Sequence, residues 1–165
     1  MDRINTLDRP KLPPLVKRQL DAIEPTKAES AKYFPCDVVL KTGERVDCVY
    51  FISLKDYVKL FRSYPDRGRA KGVLDIDEIA SVAESRFRLP AKFASTIRES
   101  GMGYCIFTVV FASGLRQVYL TGDCLAFVTY PDGLGKDDVV DVWPNTGRGE
   151  AYLEGRKFSW CVFSE

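Results

Sequence analysis

The feature that most restricts the fold is a series of segments that occurs twice in the same order. The first pass runs Val38-Val39-Leu40-Lys41-Thr42-Gly43-Glu44-Arg45-Val46, then Tyr64-Pro65-Asp66, then Val73-Leu74-Asp75-Ile76. The second runs Val109-Val110-Phe111-Ala112-Ser113-Gly114-Leu115-Arg116-Gln117-Val118, then Tyr130-Pro131-Asp132, then Val139-Val140-Asp141-Val142. In both, the Val lies seven positions after the Asp. Short apolar runs broken by a Gly-containing turn read as antiparallel hairpins. Strands that pair with their sequence neighbours do not make a doubly wound parallel sheet, which needs a helix between strands. One supersecondary unit used twice, over residues 36–88 and 104–148, accounts for the order. The competing reading is coincidence, because apolar strands with glycine turns look alike and Tyr-Pro-Asp is an ordinary turn start.

Around these hairpins the pattern adds short helices. Pro13 and Pro14 suit a first helical turn, Leu15, Val16, Leu20 and Ile23 form an apolar stripe, and Pro25 ends it. Ser53 caps a helix carrying Tyr57, Leu60 and Phe61, with Asp56 three residues on. Leu89-Pro90 opens another, with Phe93, Ala94 and Ile97 inward and Gly101 as its stop. Residues 73–76, 125–130, 139–143 and 158–163 read as further strands. The expected fold is therefore α+β and β-dominated: an antiparallel sheet or small barrel of sequential hairpins with two or three short helices. Residues 1–33, proline-broken and mixed in charge, read as an N-terminal arm; residues 34–165 read as a single β-rich domain.

Composition excludes more than it identifies. The chain has 165 residues, 24 Lys+Arg, 23 Asp+Glu and no histidine. Without histidine there is no Ser-His-Asp or Cys-His pair, no His-ligated zinc and no ordinary pH switch. The longest uncharged stretch, residues 100–115, has 16 residues and three glycines, short of the ~20 apolar residues of a spanning helix. The charged N-terminus does not read as a signal peptide. These features lead to the expectation of a cytoplasmic protein with no membrane partner. Its five cysteines, Cys36, Cys48, Cys105, Cys124 and Cys161, are odd in number and lack CxxC spacing. They are expected as free, mostly buried thiols, with Cys36 and Cys48 flanking the first hairpin.

Candidate chemistry is sparse. Gly133-Leu134-Gly135-Lys136 lacks the upstream Gly and following Ser/Thr of a phosphate loop. The acids at 75, 77 and 78 and at 137, 138 and 141 have no calcium-loop spacing and read as turn and capping residues. No metal or other cofactor is expected. The clearest surface feature is residues 62–72, where Arg62, Arg67, Arg69 and Lys71 face Asp66 alone, beside Phe61 and Tyr64. Loops on rigid scaffolds carry function. The expected contact set is Tyr64, Arg67, Arg69 and Lys71, with Asp132, Asp137 and Asp138 in the second Tyr-Pro-Asp loop. Trp143, before Pro144, is a candidate interface anchor. The functional expectation is a non-enzymatic protein that occludes a protein partner, as inhibitors and immunity-type proteins do. Two alternatives accompany it: a nucleic-acid-binding module using residues 62–71, and a carboxylate- or cysteine-dependent enzyme.

Overall fold

A computed structural model describes residues 10–28, 30–62, 73–97, 103–122, 127–144 and 151–165. The chain divides into two compact units, one of Met1–Ser85 with Phe158–Glu165, the other of Arg86–Lys157. The division falls inside the segment expected to be one domain. The described residues form an α+β, strand-rich fold with two sheets and no closed barrel among them.

In the first unit, α1 (Pro14–Asp21) leads into β1 (Thr26–Ala28), β2 (Ala31–Leu40), β3 (Arg45–Ser53) and α2 (Leu54–Phe61). A single 3-10 turn, Ile76–Glu78, then enters β4 (Ile79–Glu84). β2 pairs antiparallel with β1, β3 and β4, and β9 (Ser159–Phe163) pairs parallel with β3. Alternation along the strands places Cys36, Val38, Val49, Phe51, Cys161 and Phe163 on one face. There they bury Val16, Leu20 and Ile23. The apolar stripe of α1, in the segment read as an arm, is thus part of the core of this unit. The opposite face stacks aromatic rings: Trp160 lies 5.2 Å from Tyr50, 5.4 Å from Phe61 and 5.9 Å from Tyr57 between ring centroids. The last two belong to α2, which Ser53 caps by accepting the Asp56 N–H at 3.1 Å.

The second unit repeats this plan. It has α3 (Ala91–Ala94), β5 (Tyr104–Phe111), β6 (Arg116–Gly122), a 3-10 turn (Lys136–Asp138), β7 (Val139–Pro144) and β8 (Leu153–Glu154). β5 pairs antiparallel with β6 and β7, and β8 lies parallel to β6. The correspondence reaches single hydrogen bonds. Leu40 N–H donates to Glu44 C=O at 2.8 Å, and Phe111 N–H to Leu115 C=O at 2.9 Å. Lys41 N–H reaches Glu78 C=O at 2.8 Å, and Ala112 N–H reaches Asp138 C=O at 2.9 Å. Gly43 and Gly114 turn the two hairpins at φ 88° and 90°, a region that favours glycine. Register breaks between Val39 and Leu40 against β4, and between Val110 and Phe111 against β7. Pro13 and Pro90 precede the leading helices, and Val16 and Leu20 match Phe93 and Ile97 in spacing and core position. One architecture therefore serves both units. Helix α2 has no counterpart among the described residues of the second.

Several elements differ from the sequence expectation. Residues 73–76 are not a strand: Val73 makes one parallel bridge to Trp160, and the strand begins at Ile79. The segment expected at 125–130 is described only from Phe127, and of its described residues Phe127 alone pairs, with Arg88. The third helix stops at Ala94, well before Gly101. Cys36 is opposite Val49 rather than Cys48, and both thiols are free. A bulge accounts for the offset: register shifts between Cys36 and Val38, and Cys48 takes φ 60°. Cys105 is disulfide-bonded, which corrects the expectation of five free thiols. Cys36, Cys48 and Cys161 are free and buried, and Cys124 lies outside the described residues.

Candidate functional site

Of the contact set expected from sequence, Tyr64, Arg67, Arg69 and Lys71 lie outside the described residues. Asp132, Asp137 and Asp138 belong to one segment of the second unit. Asp132 and Asp137 are exposed, whereas an Asp138 carboxylate oxygen accepts the Gly135 N–H at 2.8 Å and holds the 3-10 turn. Asp75 does the matching work in the first unit, accepting the Asp77 N–H at 3.1 Å. Trp143 is half-buried rather than free: its Nε1–H donates to Asp141 at 3.0 Å and its ring lies 4.5 Å from the Arg116 guanidinium. Among the described residues no group of three or more Cys, Asp or Glu side chains is placed to hold a metal. No described helix is long and apolar enough to cross a membrane.

The site that the described residues do form is in the first unit. The stretch before α1 lies alongside the end of β9, where Lys11 bridges Ser164 and the Ser164 N–H donates to Pro10 C=O at 3.1 Å. This leaves a groove of about 480 Å³ lined by Lys11, Leu12, Lys17, Leu20, Asp21, Lys32, Phe34, Phe163, Ser164 and Glu165. Its floor is apolar. Leu20 and Phe163 are buried, while Leu12 and Phe34 pack on the same core and stay half-exposed. The Lys32 ammonium stands 6.0 Å from the Phe34 ring centroid.

A second hollow of about 340 Å³ shares Lys32 and Glu165 with the groove and adds Lys27, Ser30, Ala31, Lys55 and Asp56. Asp56 is already engaged. It accepts the Lys32 N–H at 3.3 Å, which ties β2 to α2, and pairs with Lys59 at 3.5 Å. Lys17 is likewise paired with Asp21 at 3.0 Å. Among the described residues Lys11, Lys27, Lys32 and Lys55 have no carboxylate within ion-pair distance, and of the described acids lining the two hollows Glu165 is without such a pair.

No linear motif marks these lysines. They come from the lead-in to α1, from β1, from β2 and from α2, and three of the four lie in residues 1–33. The surplus of seven basic over five acidic residues in that segment was the available signal. The chain matches no protein-family model, no curated protein and no solved structure.

Proposed function

We propose that the protein is a non-enzymatic binding domain that covers an acidic region of a protein partner, as an inhibitor or immunity-type protein would. The lysine face of the first unit is its contact surface. The observation that carries the reading is the convergence of Lys11, Lys27, Lys32 and Lys55 on two adjoining hollows without carboxylate partners among the described residues. Unpaired ammonium groups on a concave wall raise the local potential and steer an anionic partner. Each contact is worth roughly 1 kcal/mol in water at 4 Å and several times that once the interface excludes solvent. A cytoplasmic location belongs to the same proposal, and the Cys105 disulfide is its check. Disulfides are rare in reducing compartments, so alkylation of the protein in its host should trap five thiols in the cytosol and three in an oxidising compartment.

The test uses a labelled twelve-residue Asp/Glu peptide and its Asn/Gln counterpart, read by fluorescence anisotropy at two salt concentrations. The acidic peptide should bind, should weaken as salt rises, and should lose at least tenfold in affinity on the triple variant Lys27→Glu, Lys32→Glu, Lys55→Glu. Equal affinity for the two peptides would overturn the proposal.

A further inference from the structure

Resting on that reading, we infer that the partner is recognised as a linear acidic segment carrying one large apolar side chain, with the apolar anchor in the groove and the carboxylates displaced across Lys32 toward Lys27 and Lys55. The two hollows are chemically unlike, and that difference sets a direction. The groove exposes the sides of Leu12 and Phe34 above the buried Leu20 and Phe163. The smaller hollow adds Lys27 and Lys55 and, among the described residues, no apolar side chain larger than Ala31. An occupant of uniform acidity leaves the groove floor wet, and one of uniform apolarity leaves the ammonium groups without counter-charge.

Lys32 joins the hollows, with its stem on β2 and its ammonium beside Phe34. A ring seated against Phe34 meets both an aromatic neighbour and a cation, and each contact favours an aromatic over an aliphatic anchor. Glu165 lines both hollows and has no ion pair among the described residues, so it opposes an acidic chain at the crossing point. That placement excludes a carboxylate next to the anchor and favours one or two uncharged spacer residues before the acidic run.

The experiment compares three labelled peptides on the full chain: Phe-Ser-Ser followed by six Glu, the same peptide with Ala for Phe, and a nine-residue Asn/Gln control. Full burial of a phenyl ring predicts a preference for the Phe peptide of about ten- to a hundredfold over the Ala peptide. Leu12→Gln should cut that preference to within about threefold. Ser164→Phe, which fills the groove from its rim, should do the same without removing a core group. Equal binding of the Phe and Ala peptides to the wild type overturns the anchor and leaves the acidic-partner reading standing. If neither acidic peptide binds better than the control, both fall. Tighter binding of a single-stranded oligonucleotide or an anionic vesicle than of the Phe peptide, with the same loss on Leu12→Gln, also overturns the inference.

Discussion

Asp37 provides the sharpest test of how the first unit holds together. It is 6 % exposed and sits in the middle of β2. One carboxylate oxygen accepts the Cys48 N–H at 2.9 Å and the Ser85 hydroxyl at 2.8 Å. Arg45 approaches the other oxygen at 3.5 Å. The bonds span β2, the bulge in β3 and the residue after β4, so one side chain fixes three strands. Cys48 needs it most, because its left-handed backbone turns the N–H out of the regular ladder. Hydrogen bonds to a charged acceptor contribute about 1.5–3 kcal/mol each. Asp37→Ala removes two of them and orphans a buried N–H, so it should destabilise the unit by about 3–5 kcal/mol. The Arg45 contact is exposed on one side and adds little. The assay is urea unfolding in a Trp143→Phe background, in which Trp160 reports on the first unit alone. Asp37→Asn keeps one acceptor oxygen and should recover about half the loss. A change below about 1 kcal/mol for Asp37→Ala, with an unaltered denaturant slope, would refute the reasoning.

Other predictions concern the second unit and the thiols. Phe107 is fully buried among the residues that pack on β5, and Phe107→Ala should cost about 3–5 kcal/mol in denaturant unfolding. A Cβ at Gly155 would stand 2.6 Å from a Thr121 methyl carbon and 3.2 Å from Phe127 C=O, so Gly155→Ala should destabilise by about 1–3 kcal/mol. Burial pushes the Tyr119 hydroxyl up to about 12 from its ordinary 10 while it donates to Thr129 C=O. The folded state therefore keeps a proton that the unfolded state releases. Stability from this group is intact below pH 10 and falls by up to about 1.4 kcal/mol per pH unit between 10 and 12. Chemical denaturation across that window should show a shallower fall for Tyr119→Phe. Unfolded protein prepared without reductant should titrate three thiols, and five would remove the disulfide at Cys105.

What the sequence made legible was local. Both hairpins are announced by a glycine that has to sit at positive φ between two apolar runs, and the Ser53 cap declares itself by its spacing to Asp56. Of the recurring series only the hairpins were readable, because their register is set by residues a few positions apart: the strand that corresponds to Val139–Pro144 starts at Ile79, not at Val73, and Tyr64-Pro65-Asp66 lies outside the described residues. The parallel strands were not. β9 pairs with β3 across more than a hundred residues, and nothing in Ser159-Trp160-Cys161-Val162-Phe163 names its partner or its direction. The role of residues 10–28 was hidden by composition: prolines and charges suggested an arm, while a few apolar residues, Leu12, Val16, Leu20 and Ile23, carried the packing. That misreading also concealed the groove, since Lys11, Leu12, Lys17 and Leu20 come from the same stretch. Four ammonium groups from four elements become one surface only after β1, β2 and α2 are in place.

The late position of β9 has a consequence for how the protein is made. Residues 86–157 form a contiguous insertion whose strands all lie within it, so that unit can complete itself as soon as it leaves the ribosome. The earlier-synthesised unit cannot. Until residues 158–163 emerge, one side of β3 lacks its ladder, Tyr50 lacks Phe158 and Trp160, and Val49 and Phe51 lack Cys161 and Phe163 as core neighbours. Of the two units, the one whose synthesis starts earlier is the later to close. During that interval it presents an apolar strand edge of the kind that recruits chaperones or a second nascent chain.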